Sequence, residues 1–436
     1  MPGDYFRSIV EFATESYDRL PAVIRSPVDR LIRTIRLASS LLADIRLQVI
    51  RCDCTGPGRD LPFRLLYVGR RQQLAPALSL FGYRLTRETR LDVIHCWRLR
   101  NFLDRYTAGE EVLFLHVNRV LCRWLSREGL IAVPPSIKAV LPLAETLEQT
   151  KAAFSESIRR KIRRTALSHY SWHISRDKDS LRRFYHEFYR AYALARFGIF
   201  AQVASFPKVR RLFRTGLLVF ITRDDEAVAA CICRKIDGVL WFELFGRALR
   251  GGKVRDEQSG DALYQALLEL AYEQGCTHIN FRDSRPFLND GTLQYKLRWG
   301  GHLHCDQRAP RQLLVDTRRL DERRFHPFLD HYPVFIDDGR LSGLVLLAQK
   351  HRATARELRA ITNTYLRPGL AKLAVWSFSG FSESALLYGG ESPGRLELID
   401  LSGPHAVKDP GQHVADSPHR KDRKNAIPLR YREQRE

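Results

Sequence analysis

The stretch Leu217-Leu-Val-Phe-Ile-Thr222, Arg223-Asp-Asp-Glu226, Ala227-Val-Ala-Ala-Cys-Ile-Cys-Arg234 decides the fold. Two apolar runs of strand length flank four polar residues, the pattern of two strands joined by a tight turn. A third run, Gly238–Phe245, follows at once. Asp261–Gln274 then repeats its apolar residues at helical spacing and stops at Gly275. His278–Phe281 is strand-like again and leads into a polar loop. Upstream, Leu147–Leu167 and Leu181–Phe197 carry the period of helices. The order helix–helix–three strands–helix–strand predicts a mixed α/β domain built on a central sheet.

Working outward, residues 4–50 read as helical. Apolar residues fall at Phe6, Ile9, Val10 and Phe12, then at Val28, Leu31, Ile32, Ile35 and Ala38. Arg30, Arg33 and Arg36 flank the second stripe, so Val28–Ala38 can pack on its own domain or lie on an anionic membrane. Thr55-Gly-Pro-Gly58 is a turn-rich break. Beyond it, Phe63–Val68, Val112–Val117 and Ile137–Leu143 are strand candidates, and Ala75–Phe81, Leu91–Tyr106 and Val120–Glu128 are helix candidates. Residues 310–390 hold a further strand–helix–strand set, and 405–436 form a basic, apolar-poor tail expected to be disordered.

The chain has 436 residues, of which 44% are hydrophobic, enough for sizeable cores. No run approaches the ~18–20 apolar residues of a membrane span. Seventy-one basic residues against 49 acidic ones give a net charge of +22, and 58 of the basic residues are Arg. The planar guanidinium suits phosphate and carboxylate, so polyanionic partners are expected. Eight Cys include the pairs Cys52/Cys54 and Cys231/Cys233, neither followed by a second pair at zinc spacing. His302 and His304 beside Cys305 lack a further spaced ligand, and no metal site is expected. The N-terminus, Met1 to Phe12, has no secretory pattern, so a reducing, cytoplasmic setting is the default. Walker, nucleophile-elbow and zincin motifs do not occur.

Two constellations carry chemistry. In Ser155–Arg164, Ile158 and Ile162 stack one turn apart, while Arg159/Arg163 and Arg160/Arg164 form adjacent rows. Such a helix can grip phosphate, and the same residues also make a solvated charged face. The second is Phe281-Arg-Asp283-Ser284-Arg285-Pro286, followed by Leu293-Gln-Tyr295-Lys296-Leu-Arg298-Trp299-Gly300. It gathers Arg282, Asp283, Arg285, Lys296 and Arg298 after a strand end, where ligands of α/β sheets settle. Lys296 suits stabilisation of developing negative charge, and Trp299 suits either the site or the core.

Together these residues resemble the FemAB-like acyltransferases. Leu141–Leu147 with Ser155–Arg164 is similar to the family's serine followed by an R-x-x-R basic helix. Phe184, Tyr185 and Tyr189 with Ala195-Arg196-Phe-Gly198 resemble its next helix. Asp225–Ala230 resembles its turn and strand, and the Phe281 and Tyr295–Gly300 stretches its closing motifs. The match spans about 140–305, and more loosely back to about 60.

The resemblance implies a GNAT-type fold in two tandem halves, the first degenerate. With the readings above, the chain divides into a helical segment (1–55), a degenerate GNAT-like half (56–150), an acyltransferase half (151–310), an α/β extension (311–390) and a basic tail (391–436), the last two outside the resemblance. It implies transfer of an acetyl or aminoacyl group to an amine or hydroxyl of a peptidoglycan or exopolysaccharide precursor. The donor would be acyl-CoA or aminoacyl-tRNA, with no tightly bound cofactor. Lys296 would stabilise the oxyanion or leaving group, Tyr295 would position the donor, and Asp283 or Glu243 would be the base. Arg159, Arg163 and Arg164 would hold phosphate, with Arg196, Ser284, Arg285, Arg298 and Trp299 completing the binding set. Arg255 and Gly260 stand in the loop closest to the acyl-CoA signature, where Gln258 replaces the first glycine. The alternative is a non-catalytic GNAT-like scaffold that binds nucleic acid or another polyanion.

Overall fold

Our structure is a computed structural model that describes residues 31–402 apart from 32–33, 36, 57–58, 107–111, 126–129, 199–200, 202, 306–310, 317–332, 338, 348 and 391–393. The expected helix over 4–30 and the basic tail over 405–436 lie outside the described residues. Helical residues 37–43 lead into β1 (Arg46–Gly56), which forms a hairpin with β2 (Arg59–Gly69). β3 (Arg84–His95) pairs with the other side of β1. β4 (Val112–Asn118) and β5 (Leu130–Val133) complete this half's own strands.

The structure differs from three expectations in this half. Residues 46–50 are strand, not helix: Leu47 and Val49 face one core while Ile50, Cys52 and Cys54 face another. Burial on both faces puts Val49 beside Ile50 and masks the alternation that marks a half-buried strand. The break expected at Thr55–Gly58 accordingly falls between two paired strands of one sheet, with Gly56 paired to Arg59. Leu91–His95 belongs to β3, and the helix begins only at Leu99. β3 is a charged, largely exposed edge strand, a composition that protects a sheet edge but hides it from apolar periodicity.

The second sheet takes β6 (Ile137–Pro142), β7 (Tyr170–Ser175), β8 (Leu217–Arg223), β9 (Glu226–Ile236), β10 (Val239–Arg247), β13 (His278–Ser284) and β14 (His302–Cys305). A small ribbon, β11 (Leu249–Arg250) with β12 (Lys253–Val254), follows β10. The spatial order is β14-β6-β13-β10-β9-β8-β7. The expected strand pair across Arg223–Glu226 is β8 and β9, and Cys231 and Cys233 are buried strand residues. The helix expected over Leu147–Leu167 is two, Leu147–Ala153 and Glu156–Ala166, because Phe154 turns extended and enters the core. The helix from Lys178 runs through a π-helical stretch, Phe184–Arg190, into Ala191–Phe197. That stretch lies so close on β10 that any Cβ at Gly246 would collide with the Phe188 backbone.

The halves exchange strands. β6, which follows β5 in the chain, is inserted between β13 and β14 of the second sheet. β15 (Arg311–Asp316), which follows β14, returns to the first sheet and lies between β4 and β5. Boundaries at 150 and 310 therefore separate each sheet from a strand it needs.

The region expected as a separate 311–390 extension is integrated too. β16 (Val334–Asp337), β17 (Leu341–Leu347), β18 (Lys372–Ser377) and β19 (Leu396–Asp400) form a third sheet in that order, the last three parallel. Residues 396–400, assigned above to the tail, are thus a strand. Leu344, Leu346, Ala374 and Trp376 pack into the same core as Phe81, Phe114 and Phe287. Phe287, from the loop after β13, sits 5.2 Å from Phe81 between ring centroids and ties the second half to the first. Phe287→Ala should lower unfolding free energy by ~3–5 kcal/mol, the usual cost of emptying a core aromatic site. Urea unfolding checks this, and a loss below ~1 kcal/mol would show that the two halves do not depend on this packing.

Candidate active site

Each half has one parallel pair. In the first, β2 and β4 stay paired from Leu65↔Val112 to Gly69↔His116, the end of β2. In the second, β10 and β13 pair only over Val239↔His278, Leu240↔Ile279 and Trp241↔Asn280. Past Trp241 both strands turn irregular. The register of β10 with β9 shifts between Phe242 and Leu244, which leaves Glu243 as the extra residue. The register of β13 with β6 shifts between Asn280 and Asp283. Within that bulge Arg282 adopts φ +64°, a costly conformation for a side-chain-bearing residue, and its N–H donates to Asn280 Oδ1 at 2.9 Å. The two strands part, and the crossover helix Ser259–Glu273 begins at the same end. An opening at the carboxyl ends of parallel strands beside a helix start is a natural ligand site.

Charged groups furnish this split. The Glu243 side chain is 3% exposed, and its Oε1 accepts from Arg234 Nε at 2.9 Å and Nη2 at 2.6 Å. Arg282 Nη1 reaches across from β13 to Glu243 Oε2 at 3.4 Å, and its guanidinium lies over the Trp241 ring, 5.9 Å from the centroid. The buried carboxylate is paired by two guanidiniums, which leaves one positive charge in excess. Both Glu243 oxygens are engaged, and the Arg282 side chain beside it is 38% exposed.

Lys296 is 5% exposed. Its ammonium donates to the carbonyls of Arg282 (3.1 Å) and Asp283 (3.0 Å) and to Ser284 Oγ (2.9 Å), which uses all three protons. Burial pushes its pKa down to about 8. Lys296 thus braces the strained loop that carries Arg282. Asp283 is exposed and accepts from Ser136 Oγ at 3.0 Å. Arg285 pairs with Asp290, the residue that caps the helix Gly291–Arg298.

At the helix start, the Tyr295 hydroxyl donates to Asp261 Oδ1 at 2.6 Å, and Lys161 Nζ meets the same oxygen at 2.9 Å. Burial first, then Asp261, holds the Tyr295 phenol well above its usual range. Arg298 lies over the Tyr295 ring, 5.9 Å from its centroid. Arg247 donates to Ser259 Oγ and to the carbonyls of Asp256 and Glu257. Asp256 itself accepts from Tyr170 and pairs with Arg223. Gly260 has room: a Cβ there would meet Tyr295 and Arg247 at ordinary contact distances.

The structure therefore brings Ser284, Lys296, Asp283 and, through Arg282, Glu243 to one loop, and Tyr295, Arg298 and Gly260 to the helix start beside it. Other expected residues have different partners. Trp299 is a core residue between Phe154 and Tyr264. Arg255 pairs with Glu226 on the β8–β9 hairpin. Arg159 and Arg163 both pair with Glu156, whereas Arg164 is exposed with no ion pair among the described residues. Arg196 is exposed over its neighbour Phe197. Sequence reasoning missed Arg234, Trp241, Arg247, Lys161 and Asp261, and noted Arg282 only as one charge among several. Each acts through a partner on another strand or helix, for which no local signal exists. No group of three His, Cys, Asp or Glu side chains able to share a metal occurs among the described residues.

No family model matches the chain, and no curated protein matches it. Solved structures similar to it include the C-terminal domain of a putative lysylphosphatidylglycerol synthetase from Agrobacterium fabrum. That match has 14% identity over 64% of this chain and 87% of the other, with a TM-score of 0.33. FemX matches at 11% identity over 66% and 93%, TM-score 0.34. A GCN5-related N-acetyltransferase from Sphaerobacter thermophilus matches at 15% over 60% and 75%, TM-score 0.27. The mixed α/β class expected above is the one the sheets and helices of this chain show.

The Lys296 brace has a pH signature. Its folded pKa of about 8 lies below the ordinary 10.5, so between these values the unfolded chain binds more protons and stability rises with pH. Lys296→Met should remove this rise, on the order of 3 kcal/mol, from the unfolding free energy measured across that window. An unchanged slope in the variant would show that the ammonium is not buried as described.

Proposed function

We propose that the chain is an acyltransferase in which donor and acceptor meet in the split between β10 and β13. The observation that carries this reading is the opened parallel pair, with Arg282 mounted over Trp241 on strained backbone at its mouth. Past Trp241, β10 has no partner strand on its β13 side. Backbone N–H groups there are suited to the carbonyl oxygen of a bound acyl group, and they stabilise charge best as the tetrahedral intermediate forms. Arg282 would hold an anionic part of donor or acceptor. Asp283 would accept the proton of the attacking amine or hydroxyl and return it to the leaving oxygen. The new bond joins the acceptor atom to the acyl carbon, and the ester bond to the donor breaks.

The donor we favour is an aminoacyl-tRNA rather than acyl-CoA. Asp256 and Asp261 are buried at the start of the crossover helix, with Glu257 exposed between them. Carboxylates at that end oppose a pyrophosphate. The surplus of Arg and the exposed Arg160 and Arg164 suit a longer polyanion. The acceptor class would be an amine or hydroxyl of a cell-envelope precursor, handled on the cytoplasmic side. A second reading, a non-catalytic polyanion-binding scaffold, is favoured by one observation: Lys296 and Glu243 are both satisfied internally.

Thermal unfolding in the presence of aminoacyl-tRNA, uncharged tRNA and acetyl-CoA tests the donor, since a ligand of the folded state raises its stability. Stabilisation by aminoacyl-tRNA, with transfer to a muropeptide precursor, is expected. Arg282→Ala should lower that transfer by ~100-fold or more while the unfolding transition stays in place. A shift with acetyl-CoA alone would overturn the aminoacyl donor. Salt-sensitive tRNA binding without turnover would favour the scaffold.

A further inference from the structure

The helix that precedes β1 is inside out. At 100° per residue, Leu31, Ile35, Ala38 and Leu42 form one narrow stripe, and Ser40 and Asp44 lie on the opposite side. In a water-soluble domain the apolar stripe packs inward. Here Leu31, Ile35 and Leu42 are 60%, 57% and 68% exposed, while Ser40 and Asp44 are buried. Asp44 fixes this orientation. Its carboxylate accepts from Asn118 N (2.6 Å) and Nδ2 (3.0 Å), and it pairs with Arg311 (2.5 Å) and Arg70 (3.2 Å). Rolling the helix to bury its stripe would strand these charges.

The same side of the molecule continues onto two further elements. The N–H of Cys96 donates to the carbonyl of Ile45, which places Trp97 next to the helix end. Asn118, bound to Asp44, also caps the helix Arg119–Leu125 through Val120 and Leu121, so Trp124 follows. Trp97 and Trp124 are 62% and 40% exposed, and Arg100 lies over the Trp124 ring. Over residues 96–105 and 119–125 the exposed charges are Arg98, Arg100, Arg105 and Arg123 against Asp104.

We propose that this side docks on an anionic lipid surface. An outward apolar stripe next to exposed tryptophans is the composition of a membrane–water interface, where indole rings settle at headgroup depth. The arginines add attraction to anionic headgroups and keep their charge in water while their stems lie on the bilayer. No helix among the described residues is long and apolar enough to cross a membrane, so the contact proposed is peripheral. The inference does not rest on the transfer reading, and its test needs no turnover.

The full chain is mixed with vesicles of phosphatidylglycerol and phosphatidylcholine, or of phosphatidylcholine alone, and floated on a density gradient. Flotation with the anionic vesicles is expected, together with quenching of tryptophan emission by brominated lipid, which needs no variant. Leu42→Ser with Trp97→Ser and Trp124→Ser should weaken partitioning at least ~10-fold. Arg98→Ser should weaken it ~5-fold on anionic vesicles only. Leu386→Ser with Leu387→Ser, exposed on the third sheet's helix Glu383–Gly390, should leave it unchanged. Thermal unfolding confirms that the variants fold. Failure to float overturns the proposal, as does equal flotation of the triple variant. So does a dimer, or a labelled single-stranded RNA, that depends on the same residues while vesicles do not bind.

Discussion

Neither sheet is complete without a strand from the other half. β15 supplies hydrogen bonds on both its edges, to β4 and β5, and β6 does the same for β13 and β14. A missing central strand leaves two rows of unpaired backbone groups in an apolar setting, a far larger loss than a frayed edge. The exchange also sets the position of the loop after β13. Phe287 must reach the first core, Lys296 must reach back under the loop, and Arg282 is held between them at the mouth of the split.

The two halves treat a similar parallel pair in opposite ways. In the first, β2 and β4 close to the end of β2, and the polar groups there are spent on Asp44, Arg70 and Arg311. Burial and the nearby Arg311 lower the His116 pKa to about 4, so this histidine stays neutral in its place above Tyr67. In the second, two bulges keep the strands apart and leave Arg282 half exposed. One half supports a helix at this end, and in the other the strands part.

How much of this was legible follows from the range of each interaction. β8, β9 and the crossover helix were readable because their signals are local: an apolar run, a polar turn, a helical period with a glycine stop. β1 was not, since burial on both faces removes the alternation at Val49–Ile50. The exchange left no trace: β6 reads as an ordinary strand, residues 311–316 were not read as one, and a sequence does not name a strand's neighbour. At the site, the proximity of Ser284 and Lys296 was legible from their motif, but the direction in which the ammonium points was not. Burial turns a candidate catalytic group into a brace. The ion pairs Arg234–Glu243–Arg282 join three strands and became visible only when the sheet was assembled.

The exchange also imposes an order on synthesis. When Val133 leaves the ribosome, the first half has made every strand it encodes for its own sheet, yet the gap between β4 and β5 stays open until Arg311 is translated. At ~5–20 residues per second, that interval lasts on the order of ten seconds or more. Throughout it the nascent chain presents the edges of two apolar strands to any passing strand, including its own β6. A chaperone that shields those edges, or slow translation downstream of β14, would therefore govern the yield of this protein as much as its final stability does.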